Sequence, residues 1–129
     1  MAESTGEIRA AADHFLRALD RLDWERFIAC WASSPTAFYP GDAVRLDGRA
    51  AVLTRFRTMF DEIPLQAPGP PYLHQGPRNL RVDEYGDVGL VTFSLDDTRG
   101  PAPLRSLLFV RENGGWKLTH LHATNKVIV

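Results

Sequence analysis

Apolar residues recur at helical spacing in the first half of the chain and alternate with polar ones in the second. Ile8, Ala11, Ala12, Phe15, Leu19 and Leu22 make one stripe, the three-and-four spacing of an amphipathic helix. Ser4 and Glu7 stand just ahead of it with the S-x-x-E spacing of a capping box, which predicts the helix start. Asp23 predicts the N-cap of a second, short helix carrying Trp24, Phe27, Ile28 and Trp31. Ser33-Ser34-Pro35 is expected to end it, because proline disfavours helical backbone in the residue before it. Thr36 to Tyr39 and Val44 to Leu46 read as two short strands around the turn Pro40-Gly41-Asp42. Asp47-Gly48 then opens a third helix from Arg49 to about Ile63, with Val52, Leu53, Phe56, Met59 and Phe60 on its apolar face and Pro64 at its end.

From Tyr72 the pattern changes to strands: Tyr72 to Asp83, Val88 to Asp96, Leu104 to Arg111 and Trp116 to Val129. Asn113-Gly114-Gly115 predicts a tight hairpin before the last, since Asn-Gly tolerates positive φ at both central positions. His74-Gln75-Gly76-Pro77 marks a bulge in the first of these strands. Helices followed by an antiparallel meander define an α+β domain, with the three helices packed in a curved sheet and an internal pocket. The whole of residues 1–129 reads as one domain. The meander has more apolar surface than three helices can cover. Val91, Phe93 and Leu95 on one strand, and Leu108 and Val110 on the next, therefore predict a homodimer with sheets packed back to back.

Composition narrows the function classes. At 44% hydrophobic and 24% charged residues the chain is globular in kind, and a net charge of −1 lacks the basic footprint of a nucleic-acid binder. Its apolar runs, such as Leu107 to Val110, are far too short to span a membrane. The polar, acidic N-terminus is unlike a secretory signal, and the single cysteine, Cys30, fits a reducing compartment. A cytoplasmic location is the resulting expectation. Cys30 itself reads as a small buried hydrophobe rather than a nucleophile.

The candidate chemistry gathers on the last strand. Strict alternation puts Trp116, Leu118, His120, His122 and Thr124 on one face, which the two large apolar residues turn inward. Two imidazoles and a hydroxyl would then enter one pocket. His122 is the candidate general acid/base and His120 its neighbour; the competing reading is a pair of structural histidines bonded to backbone or carboxylate. An H-x-H pair can also chelate an ion, but a third ligand such as His74, Asp96 or Asp97 is not forced by any spacing, so no metal and no cofactor are expected. Tyr39 and Arg105 are candidate oxyanion partners, and Trp31, His74 and Thr124 complete the ligand-binding candidates. For Arg105 the alternatives are a strand-end arginine facing solvent or a partner for Asp96 or Asp97 across the strands. Parity does not decide it, because Leu107 and Phe109 on its face are as apolar as Leu108 and Val110 on the other.

Two segments carry a family resemblance. Phe38-Tyr39-Pro40-Gly41-Asp42-Ala43-Val44-Arg45-Leu46-Asp47-Gly48-Arg49 leads into a G-R/K-x-A helix start, and Gly114 to Thr124 is similar to a recurring GGWKI-x-H-x-H-x-S ending. With the element order, they resemble the cone-shaped, cystatin-like nuclear-transport-factor-2-like superfamily, in its SnoaL-like branch, and also the association domain of calcium/calmodulin-dependent kinase II. That resemblance implies a fold that hosts ketosteroid isomerases, dehydratases, epoxide hydrolases, polyketide cyclases and members without chemistry. Thr124 stands where the family ending has Ser. The isomerase tyrosine comes from the first helix, where this chain has none. Two functions follow: cofactor-independent isomerisation, cyclisation or dehydration of an apolar oxygenated small molecule, or a non-catalytic ligand-binding or dimeric association domain.

Overall fold

A computed structural model describes residues 2–95 and 103–125, with side chains from Ser4 onward. Asp96 and Asp97 lie outside the described residues. Helix α1 (Ala2–Arg21) buries Ile8, Ala12, Phe15, Leu16 and Leu19 along one stripe. It begins ahead of Ser4, so Ser4 and Glu7 are not a capping box. Glu7 instead accepts a hydrogen bond from Trp116 Nε1 at 3.2 Å and sits 3.7 Å from Arg111.

Helix α2 (Trp24–Ala29) is capped as expected, the Asp23 carboxylate accepting from the Arg26 amide at 3.3 Å. It stops sooner than the sequence predicts, and strand β1 (Trp31–Phe38) runs straight through Ser33-Ser34-Pro35. Long-range partners decide this. The Cys30 carbonyl accepts from the Leu118 amide at 2.8 Å, and the Arg49 guanidinium takes the Ile28, Trp31 and Ala32 carbonyls at 2.8, 2.9 and 3.2 Å. Pro35 is fully buried in an irregular stretch between Trp31 and Thr36, where the ladder is interrupted and a missing N–H costs least. Cys30 is buried, its thiol on the Arg26 carbonyl at 3.2 Å and pushed up to about 11 by burial.

Strand β2 (Leu46–Asp47) pairs with β1, and α3 (Arg49–Glu62) follows with a short 3₁₀ turn at Ile63–Leu65. Strands β3 (Pro77–Tyr85), β4 (Val88–Leu95), β5 (Leu104–Glu112) and β6 (Gly115–Thr124) complete one sheet in the order β2-β1-β6-β5-β4-β3. β6 lies parallel to β1, so the sheet is mixed and not wholly antiparallel. Asn113 and Gly114 adopt φ of 53° and 78°, the positive pair that a two-residue hairpin between twisted strands needs. The bulge expected at His74 to Pro77 sits later, between Arg78 and Arg81, with Asn79 at φ 55°. Residues 72–75 form a loop tied to Asp20, whose backbone carbonyl accepts from the Tyr72 and Leu73 amides and whose carboxylate accepts from the Gln75 amide.

The sheet curls over α1 and α3. At the centre Phe27 is fully buried, its ring centroid 4.8–5.9 Å from those of Phe15, Trp24, Trp31, Phe56 and Phe60. Val91, Phe93 and Leu95 belong to this interior and not to an outer dimer face; Leu108 and Val110 are the pair that faces outward. Among the described residues no helix is long and apolar enough to cross a membrane.

Helix α1 approaches β4 at Gly89, where a Cβ would lie 2.6–3.0 Å from three side-chain atoms of Ile8. Gly89→Ala should therefore destabilise by about 1–3 kcal/mol in urea unfolding. In an Ile8→Ala background the same substitution should be close to neutral. Equal penalties in the two backgrounds would show that the Ile8–Gly89 contact does not set the helix–sheet spacing.

Candidate functional site

The location of the site follows from one extra residue. β5 and β6 pair in register from Glu112↔Gly115 to Phe109↔Leu118, then resume at Leu108↔His120, leaving Thr119 without an opposite residue. Such a bulge reverses the facing of every residue beyond it. Trp116 and Leu118 point inward before it, and Leu121 and Ala123 after it. His120, His122 and Thr124 are turned to the outer face, with His122 and Thr124 exposed. The strict alternation expected along this strand fails at Thr119, and the histidines do not enter the cavity.

On the outer face His120 Nδ1 lies 2.6 Å from Thr36 Oγ1, and the Phe38 ring packs on both imidazoles, 5.7 Å from His120 and 5.0 Å from His122. Burial foremost, then the neighbouring His122 and Arg45, lowers the His120 pKa, with a hydrogen bond at Thr36 opposing. Among the described residues no three His, Cys, Asp or Glu side chains converge as a metal site would require.

The concave side of the sheet holds a cavity of about 250 Å³. Phe15, Leu16 and Leu19 of α1 line one wall, Phe56 and Met59 of α3 another, and Phe93, Leu107, Leu121 and Ala123 of the sheet a third. Its polar groups are Tyr39, Gln75, Arg105 and Asn125. Tyr39 follows β1 and is held by Arg55, whose guanidinium lies 3.8 Å from the ring centroid while its Nε donates to Asp42 at 2.9 Å. Burial raises the Tyr39 pKa, Arg55 and Arg105 pulling against it, so the phenol keeps its proton and acts as a donor.

Parity left Arg105 open; the structure turns it inward with Leu107, at Phe93 and Ala123 in the two ladders. Its Nη1 donates to the Leu104 and Thr124 carbonyls, each at 3.0 Å, and Nη2 donates to Asn125 Oδ1 at 3.1 Å. Burial lowers the pKa of this guanidinium, and Tyr39 counteracts the shift.

Of the other sequence candidates, Trp31 packs behind the cavity against Phe15 and Phe56 and does not line it. Its buried Nε1 has no partner among the described residues. His74 sits between the lining residues Leu73 and Gln75 but is not itself at the wall. Gln75 and Asn125 are lining residues that the sequence reading missed, being short polar residues in loop and strand-end positions without any pattern. No carboxylate or imidazole lines the cavity among the described residues.

The sequence model of the SnoaL-like domain matches residues 8–125. The chain belongs to that family. No curated protein matches this SnoaL-like domain. Solved structures share its fold. One is a Streptomyces avermitilis protein of the NTF2-like family, provisionally described as a dehydratase, at a TM-score of 0.82 and 22% identity, covering 99% of this chain and 100% of that one. Another is an NTF2-like protein of unknown function from Pseudomonas putida KT2440, at 0.83 and 19%, covering 100% and 91%. A third is the CaMKII hub of S. rosetta, at 0.72 and 22%, covering 94% and 95%. These likenesses establish the fold, which a solved protein of unknown function described as having a cystatin-like fold also shares.

The outer histidine yields a pH prediction for this SnoaL-like domain. With the folded pKa of His120 below the ordinary 6.5, the unfolded chain takes up the proton first as pH falls, and stability declines from about pH 6.5 downward. His120→Asn keeps a polar partner for Thr36 and removes this titration. The Tm of the variant should fall less than that of the parent between about pH 7 and about pH 5. Equal declines would contradict the assigned environment.

Proposed function

We propose that this SnoaL-like domain binds a small, largely apolar, oxygenated molecule in the cone cavity, with Tyr39 and Arg105 at its polar end. The observation that carries this reading is the lining: an apolar volume of about 250 Å³ with a protonated phenol and a guanidinium among its few polar groups. That combination is the usual build of a small-ligand site, mostly apolar with few polar groups that orient the ligand. Two donors without a base favour binding over turnover. Isomerisation, cyclisation or dehydration needs a group that removes a proton, and none of the described lining side chains supplies one at neutral pH. Should a reaction occur, Tyr39 and Arg105 would stabilise a developing oxyanion, and His120 and His122 would take no direct part.

A second reading concerns assembly. The outward residues Val88, Leu90, Thr92 and Ser94 of β4 and Leu104, Ser106, Leu108 and Val110 of β5 form an uncharged patch, bordered by Glu112 at the end of β5 and by Arg78, Arg81 and Asp83 of β3. An exposed antiparallel face is ordinarily polar, and an uncharged one can be duplicated across a two-fold axis without like-charge repulsion. This supports a homodimer with the outer sheet faces together, the arrangement expected from the sequence but with Leu90 in place of the Val91 set.

Both readings have direct tests. Titrating alkyl and aryl ketones and alcohols into labelled protein should shift the amide NMR signals of Leu107, Leu121 and Ala123, and Ala123→Phe should abolish the shifts. Shifts centred on His122 instead would refute the cavity assignment. Leu108→Glu should convert dimer to monomer in sedimentation velocity with the circular dichroism unchanged. A parent protein that sediments as a monomer at all concentrations would refute the assembly.

A further inference from the structure

We infer that the ligand of this cavity is a monocarboxylate, its carboxylate seated on the free edge of Arg105; the inference rests on the small-molecule reading above. A guanidinium carries five N–H donors in a planar fork. Three of those of Arg105 are used by neutral acceptors, the Leu104 and Thr124 carbonyls and the Asn125 amide oxygen. The Nε–H and one Nη2–H remain. These two nitrogens share one edge of the group, the edge that takes a carboxylate through two parallel hydrogen bonds.

Among the described residues, the charge on Arg105 has no opposite charge beside it. Arg55 and Arg111, the arginines stacked on Tyr39 and Trp116, each have carboxylates beside them, Asp42 for the first and Glu7 and Asp87 for the second. Arg105 is half-buried at the wall of a cavity of Phe, Leu and Ala side chains, and no described carboxylate pairs with it. A cation in such surroundings gains most from an anion that arrives with the ligand. The Tyr39 phenol at the same end offers a further donor to a carboxylate oxygen.

The lining also sets the valence and size of the anion. One guanidinium neutralises one negative charge, so a phosphate dianion would leave a charge uncompensated beside Phe93 and Leu107. A volume of about 250 Å³ is roughly eight times the share of one water in the liquid, which suits an alkyl or aryl acid of roughly ten heavy atoms.

The test compares each acid with its uncharged isostere by isothermal titration calorimetry on the full chain, using phenylacetate, hydrocinnamate and octanoate against their amides. The acids should bind roughly 10- to 100-fold more tightly than the amides, as charge-assisted bonds to a guanidinium require. Arg105→Gln should erase that preference, and Tyr39→Phe should reduce it by a smaller factor. Equal binding of acid and amide by the parent protein would overturn the carboxylate assignment and leave the cavity reading intact. An acid preference that survives Arg105→Gln would overturn the role of this residue. Should neither member of any pair bind, the cavity reading falls and this inference with it. The acid–amide comparison in the parent needs no variant, so it stands even if Arg105→Gln does not fold.

Discussion

A β-strand shows one set of alternating residues to the core, and the unpaired Thr119 changes which set β6 shows halfway along its length. Before it Trp116 and Leu118 pack inward; after it Leu121 and Ala123 do. Without the extra residue the ladder would direct two imidazoles into a hydrophobic interior and Leu121 to solvent. Burying both imidazoles without partners would be unfavourable, whereas the observed register buries Leu121 and Ala123 and leaves His122 in water. The same shift brings Ala123 opposite Arg105. A small residue there leaves the space that the guanidinium and the cavity occupy.

The remainder of the cone holds this register in place. Arg49 collects three carbonyls where α2 passes into β1, and so fixes the strand against which β6 lies in parallel. Phe27 and its ring of aromatic neighbours fill the closed end. Arg55, anchored on Asp42, braces Tyr39 at the open end. The cavity is thus the part of the interior that the aromatic cluster does not fill, bounded by the helices on one side and the post-bulge half of β6 on the other.

Elements with strong local signals were legible in the sequence. The α1 stripe, the Asp23 cap, the α3 helix from Arg49 and the Asn113-Gly114 hairpin each depend on residues within a few positions of one another. What the sequence did not reveal depends on pairing between distant segments. Pro35 reads locally as a helix stop, yet its neighbours are drawn into β1 by β6, more than eighty positions away in the chain at the Thr36–His120 contact. Thr119 carries no glycine, proline or charge to mark a bulge, so alternation ran through it unbroken and assigned His120 and His122 to the wrong side. Asn79 marks the β3 bulge no more plainly. Tyr39 and Arg105 could be named as candidates from residue type, but the inward direction of Arg105 came from the ladder with β4 and β6. Gln75 and Asn125 had no periodic or compositional signal at all.

The reversal at Thr119 can be observed without any ligand or substrate. In a methyl-labelled, otherwise deuterated sample with protonated aromatic rings, the Leu121 and Ala123 methyls should show nuclear Overhauser contacts to cavity-lining rings such as Phe15, Phe56 and Phe93. The His122 ring protons should contact Phe38 alone among the phenylalanines. Contacts from the His120 or His122 rings to Phe15 or Phe56, with the Leu121 methyls free of the core, would contradict the register and the cavity built on it.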